Sequence, residues 1–183
     1  TLSGDLVNSD IIRLTPYVSQ YGIQGAIFSK IYNNFIPKIN VLYYINSLAF
    51  AITISTLVLL YRKTISVDFA VIFFLTIILS PWIVSFARNL YWIPFTWFLP
   101  AVFAGFYFLA QSIRRKIFLA ALIYFSFVLK CLAGYEYISS IILLAAAIFS
   151  YELFNPERVL TKSQSVKGFF LICLLGCLLY TSP

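Results

Sequence analysis

The chain has 183 residues, 62% of them hydrophobic and 10% charged, with 13 Lys and Arg against 6 Asp and Glu for a net charge of +7. Its mean hydropathy is +0.94, which excludes an ordinary soluble domain. It has no histidine, so His-based acid/base work, Ser-His-Asp catalysis and the commonest metal ligand are excluded. The basic excess forms no stripe with aromatic platforms, and nucleic acid is not an expected partner.

Residues 1–40 are expected to form an extracytoplasmic loop. Asp5 and Asp10 stand in its polar opening, Gly4 to Asp10. Thr15-Pro16 marks a turn or a helix start, because the residue before a proline is pushed away from helical geometry. From about Val18, Tyr21, Ile27, Phe28, Ile31, Tyr32 and Phe35 recur near three- and four-residue spacing. That pattern predicts an amphipathic helix ended by Pro37, lying along the membrane interface or packed between spans.

Apolar runs follow at Val41–Leu60, Val67–Phe86, Pro94–Ala110, Ile117–Leu129 and Ile138–Phe154, with a shorter one at Gly168–Tyr180. A bilayer core of about 30 Å takes about 20 helical residues to cross, and with their flanks these runs predict an all-α, polytopic transmembrane bundle of about five to six spans over residues 41–180. Pro81 is expected to kink the second run near its end. Arg88 emerges among Trp82, Tyr91, Trp92 and Trp97. That setting suits a snorkelling arginine in an interfacial aromatic belt, or a phosphate-binding arginine at an outward cavity. Lys130 and Glu136 flank a very short loop, either as a local ion pair or as a corner for a polar substrate. Asp68 and Glu152 are expected to be solvated, or paired with Arg62, Lys63 or Arg158. Asn46, Ser47 and Thr53 read as polar packing residues. Cys131, Cys173 and Cys177 lack CxxC spacing.

Basic residues alternate between loops. Arg62-Lys63, Arg114-Arg115-Lys116 and Arg158, Lys162 and Lys167 make eight in every second loop, against Arg88 and Lys130 in the loops between. Lys- and Arg-rich short loops stay in the cytoplasm, so residues 1–40 and the Arg88 and Glu136 loops are expected outside. Carrying residues 1–40 across requires an upstream span, so at least one helix is expected before Thr1 in a longer protein. The last six residues, Leu178 to Pro183, read as an appended adaptor sequence and receive no functional meaning.

Acids that would follow a first helix, an amphipathic outer loop and many spans with short loops resemble the polytopic GT-C glycosyltransferases. The stretches Tyr17-Val18-Ser19-Gln20-Tyr21-Gly22-Ile23-Gln24-Gly25 and Arg88-Asn89-Leu90-Tyr91-Trp92 add to the likeness. The resemblance implies transfer of a sugar from a polyprenyl-phosphate donor to an acceptor at the outer face, with membrane lipid and the lipid-linked sugar as partners. Carried over by position, it makes Asp10 or Asp5 the general base, Asp10 being nearer the amphipathic helix. It sets Arg88 and Lys130 on the lipid phosphate and Glu136 on sugar or acceptor. The family's acids are often an adjacent pair, whereas Asp5 and Asp10 are separated. Such a reaction needs a carboxylate to take the acceptor proton. It also needs cations for the leaving phosphate, from Arg, Lys or a carboxylate-held Mg²⁺ or Mn²⁺. Two other classes share the layout: a transporter or flippase subunit, and a polysaccharide polymerase or ligase, which usually carries a large late outer loop.

Overall fold

The computed structural model describes residues 22–35, 37–134, 136–156 and 160–180. Asp5, Asp10 and Arg158 lie outside them, as do residues 181–183. The described residues form eight helices and no strand: α1 Ile23–Asn34, α2 Ile39–Thr64, α3 Val67–Leu79, α4 Pro81–Phe86, α5 Phe95–Leu109, α6 Ile113–Ala133, α7 Ile138–Phe154 and α8 Lys162–Tyr180.

The apolar runs map onto these helices with three informative departures. The run Val67–Phe86 is cut in two at Ser80, whose backbone is extended and whose Oγ accepts a hydrogen bond from the Ile83 N–H at 3.4 Å. Pro81 then takes the first helical position, where its missing N–H costs nothing. The expected kink is therefore a full break with a capped restart. Helices α6 and α8 extend well before their apolar runs, taking in Arg114–Lys116 and Lys162–Lys167, because Lys and Arg are good helix formers. At the start of α8 the Gln164 N–H donates to Thr161 Oγ1 at 3.3 Å, while the Thr161 N–H donates to Gln164 Oε1 at 3.1 Å. That reciprocal pair satisfies donors the helix cannot. The third departure is length. Two helices, α2 and α6, are long and apolar enough to cross a membrane. At 13, 15 and 17 residues, α3, α5 and α7 are apolar but shorter.

Helix α5 is central, packing on α2, α6 and α7, while α8 lies along α7 and α6. The core holds Leu57, Ala104, Ile123, Phe127, Ala145, Ala146 and Ile172, all fully buried. Small residues set the approach of the helices. A Cβ on Gly105 would sit 3.0 Å from Leu60 Cδ1 and 3.4 Å from Ile148 Cδ1. One on Gly168 would overlap the Phe149 ring, and one on Gly176 would overlap Ile142.

The outside is apolar and the inside partly polar. Helix α3 buries only Ala70 and Ile77, leaving Ile72 64% and Leu79 73% exposed. Gln24, Asn46, Thr96, Ser126, Lys130, Glu152 and Ser165 are all buried. Asp68 is exposed in the first turn of α3, where a negative charge suits the helix dipole. Glu152, by contrast, is not solvated: it is 1% exposed, and its Oε1 accepts the Leu160 N–H at 2.7 Å.

The two sets of loops occupy opposite ends of the bundle. Lys116, Gln164 and Lys167 line one cavity of about 220 Å³ with Phe149, and the Gly105–Leu60 contact brings the Arg62-Lys63 end of α2 to the same side. Arg88, Lys130 and Glu136 lie at the other end, together with α1 and the start of α2. Gly176→Leu should force the α7–α8 pair apart and lower stability by about 1–3 kcal/mol. Gly25→Ala, where an added Cβ meets open space, should be neutral or raise stability by up to about 1 kcal/mol. Thermal unfolding of the purified protein in detergent measures both.

Candidate functional site

Residues 87–94 carry the chain from α4 to α5 across the less basic end. Helix-terminal carbonyls in apolar surroundings need partners, and buried side chains supply them. Asn46, on the inner face of α2, donates through Nδ2 to the carbonyls of Ala87 at 3.1 Å and Asn89 at 2.9 Å. Ser47 Oγ donates to the Ala87 carbonyl at 3.4 Å. Asn89 Oδ1 accepts the N–H groups of Tyr91 at 2.8 Å and Trp92 at 3.1 Å, a turn for which asparagine is well suited. From α1, Gln24 Nε2 donates to the Tyr91 carbonyl at 3.0 Å. Held from both sides, Ile93 adopts a φ of 36°, an unfavourable region for a β-branched residue.

Beside this loop stands an aromatic cluster. Trp92 lies 6.0 Å from Phe86 and 6.0 Å from Trp97, and Trp97 lies 5.3 Å from Tyr137, between ring centroids. Lys130 reaches it from the last turn of α6. Its Nζ donates to the Gly134 carbonyl at 2.5 Å, stands 3.9 Å from Glu136 Oε2, and lies 5.9 Å from the Trp97 ring centroid. The chain turns this corner through Gly134 at φ 159° and Tyr137 at φ 61°. The indole N–H of Trp97 is buried and has no acceptor among the described residues.

The sequence-derived candidates are thus distributed as follows. Lys130 and Glu136 come together, with Lys130 buried and Glu136 partly exposed. Arg88 is exposed at the same end of the bundle, its Cζ 5.9 Å from the centroid of the Tyr43 ring. Asp5 and Asp10 fall outside the described residues. Among the described residues no three carboxylate or thiol side chains converge as a metal site.

The residues that organise this end most directly were read from sequence as packing or filler. Asn46 reads in the sequence as a polar packing residue of a span, and Gln24 as part of the stretch Tyr17 to Gly25. A polar residue inside an apolar run is a signal that a partner exists, but its partner here lies 41 to 43 residues away.

Both line a cavity of about 250 Å³ beneath α1, walled otherwise by Ile23, Ile27, Phe28, Ile45, Ala49, Ile93, Phe95 and Leu129. Gln24 Oε1 and Asn46 Oδ1 are buried with no donor among the described residues. Comparison with protein-family models, with curated proteins and with solved structures found no match to this chain.

Asn46→Ala should cost about 1–3 kcal/mol, because it strips buried carbonyls of their donor. Ser47→Ala, which leaves the Asn46 bonds standing, should stay within about 0.5 kcal/mol of wild type. Parallel unfolding of the two variants in detergent checks the contrast.

Proposed function

We propose that this chain belongs to a multi-pass membrane protein whose less basic end faces outward and acts on a lipid-linked sugar. The membrane setting is supported by the many large apolar side chains left exposed, since a soluble monomer does not expose faces like that of α3, and by the two helices of spanning length. With α3, α5, α7 and α8 as further spans packed around them, the shorter helices would cross by tilt or local bilayer thinning. The orientation follows from the eight basic residues of the opposite loops.

One observation carries the functional reading. An exposed arginine, a Lys–Glu pair and a Trp/Tyr cluster with a buried, unclaimed indole donor gather at the end of the bundle opposite the Arg62-Lys63 and Lys116 loops. Guanidinium recognises phosphate, and aromatic faces and N–H donors suit a sugar. In the transferase reading, Asp10 or Asp5 takes the proton from the acceptor hydroxyl, and that oxygen attacks the sugar's anomeric carbon. The bond to the lipid phosphate breaks, and Arg88 receives the negative charge that the phosphate carries away. Lys130 and Glu136, joined as they are, hold the corner that presents Tyr137. A divalent cation, where one takes part, would be held by carboxylates, from Asp5, Asp10 or Glu136.

A carrier or flippase subunit is the second reading. The exposed Arg88 and the Lys130–Glu136 pair offer binding chemistry that a carrier would use as well as an enzyme. One assay separates the two. Membranes carrying the protein are given radiolabelled polyprenyl-phosphate sugars, with Asp5→Asn, Asp10→Asn and Arg88→Gln variants alongside. The transferase reading expects product, a loss of at least about 100-fold in one Asp variant, and weaker donor use in Arg88→Gln. Absence of product across the donor panel, with uptake of the labelled lipid changed in Arg88→Gln, would establish the carrier instead.

A further inference from the structure

We infer that the cavity at the basic end of the bundle, between α5, α6, α7 and α8, seats the headgroup of an anionic phospholipid. The inference rests on the membrane setting proposed above, and on neither the transferase nor the carrier reading. The cavity has about 220 Å³, far more than the roughly 10–15 Å³ that a single water needs. Its polar lining offers donors and no anion. Lys116, in the first turn of α6, is half-buried, and its Nζ stands 5.9 Å from the centroid of the Tyr107 ring on α5. Lys167 lines the cavity from α8. Gln164 Oε1 accepts the Thr161 N–H at 3.1 Å, so the NH₂ group is what that amide offers. Among the described residues neither lysine has a carboxylate within ion-pair distance. Glu152 on α7 is turned to the Leu160 N–H, and Asp68 lies on α3, which packs on α2 and α4. Helices α6 and α8 both begin here without an acid in the first turn. Cations at a helix start oppose the helix dipole, and a bound anion offsets both.

A second depression favours a lipid over a soluble phosphate. It shares Lys167 with the first and runs up α8 past Phe170 and Leu174 to Cys177, with a volume of about 530 Å³. The ten residues from Lys167 to Cys177 rise about 15 Å at 1.5 Å per residue. Phe170 and Leu174 are 65% and 56% exposed. A phosphate ester held by Lys116 and Lys167 therefore has an apolar path for its acyl chain, leading from the basic end toward the middle of the bundle. The sign of the headgroup follows from the same residues. An ammonium on the headgroup would meet two lysines and no carboxylate in the cavity, whereas a headgroup with net negative charge meets only attraction. Phosphatidylglycerol is thus preferred over phosphatidylcholine, in the sense that lysines close to a membrane surface favour anionic lipid.

The test presents the full chain, in a non-ionic detergent, with dioleoyl phosphatidylglycerol or dioleoyl phosphatidylcholine and reads bound lipid by native mass spectrometry. Phosphatidylglycerol should be held at least about tenfold more tightly. Lys116→Gln together with Lys167→Gln should bring the two lipids to within about twofold of each other, and Lys167→Gln alone, at an exposed side chain, should already cut the preference about threefold. Arg114→Gln with Arg115→Gln removes the same charge from exposed residues outside the lining and should leave the preference standing. Glycerol 1-phosphate, which has the phosphate and no chains, should displace the bound lipid at least about tenfold less well than further phosphatidylglycerol does. Equal retention of the two lipids by the wild type would overturn the inference. So would a preference lost as fully in the arginine variant, which would assign it to loop charge at large, or one that survives both lysine changes in a variant that unfolds like wild type. Equal displacement by glycerol 1-phosphate would remove the lipid as occupant and leave a seat for a soluble phosphate ester.

Discussion

A backbone N–H or C=O that loses its helical partner away from water costs as much as a broken hydrogen bond, and often more. In this chain that constraint falls on each place where a helix stops. Ser66 and Ser80 take the first N–H groups of α3 and α4. Asn46 and Gln24 take the carbonyls between α4 and α5, Lys130 takes the carbonyl after α6, and Glu152 takes an N–H before α8. The buried polar residues are thus concentrated at the breaks and are few along the helix faces between them. Several of the short connections are closed in this way, while the turn from α5 to α6 uses backbone bonds alone.

The same accounting explains why structure and candidate site coincide at the less basic end. Residues 87–94 need several donors at once, and those donors come from α1 and α2, which brings three segments together over one cavity. Lys130 similarly closes the Gly134 corner and, in doing so, sets its ammonium beside Trp97 and Glu136. What is exposed at this end is the Arg88 guanidinium; the Gln24 and Asn46 amide oxygens and the Trp97 indole N–H lie buried without partners among the described residues.

Much of the helical layout could be read from the residues. Ile138–Phe154 coincides with α7, and the apolar run from Val41 lies within α2, because unbroken apolar stretches have few other ways to satisfy their backbone. The Ser80-Pro81 break was foreshadowed by the proline, although a kink was expected and the serine cap made a clean restart. The nearness of Lys130 and Glu136 followed from six positions of separation around a glycine. What could not be read were the long-range pairs. Nothing local distinguishes Asn46, which holds a loop 41 residues on, from Ser47 beside it, which contributes one long hydrogen bond. The starts of α6 and α8 were missed because a hydropathy run ends at the first lysine or arginine, whereas a helix does not. Asp5 and Asp10, on which the transferase reading depends, lie where only the sequence speaks.

Helix α3 brings in the solvent as a structural partner. It has 13 residues, about 20 Å at 1.5 Å per residue, against a hydrocarbon core of about 30 Å. With only Ala70 and Ile77 buried, little of its surface is matched to protein and most of it is matched to whatever surrounds it. In a bilayer, the position of this helix would be governed by local thickness, with a modest energy for each ångström of mismatch. Ser80 joins α3 directly to α4 and the 87–94 loop, so the least-packed helix and the loop beside the cavity share one covalent hinge.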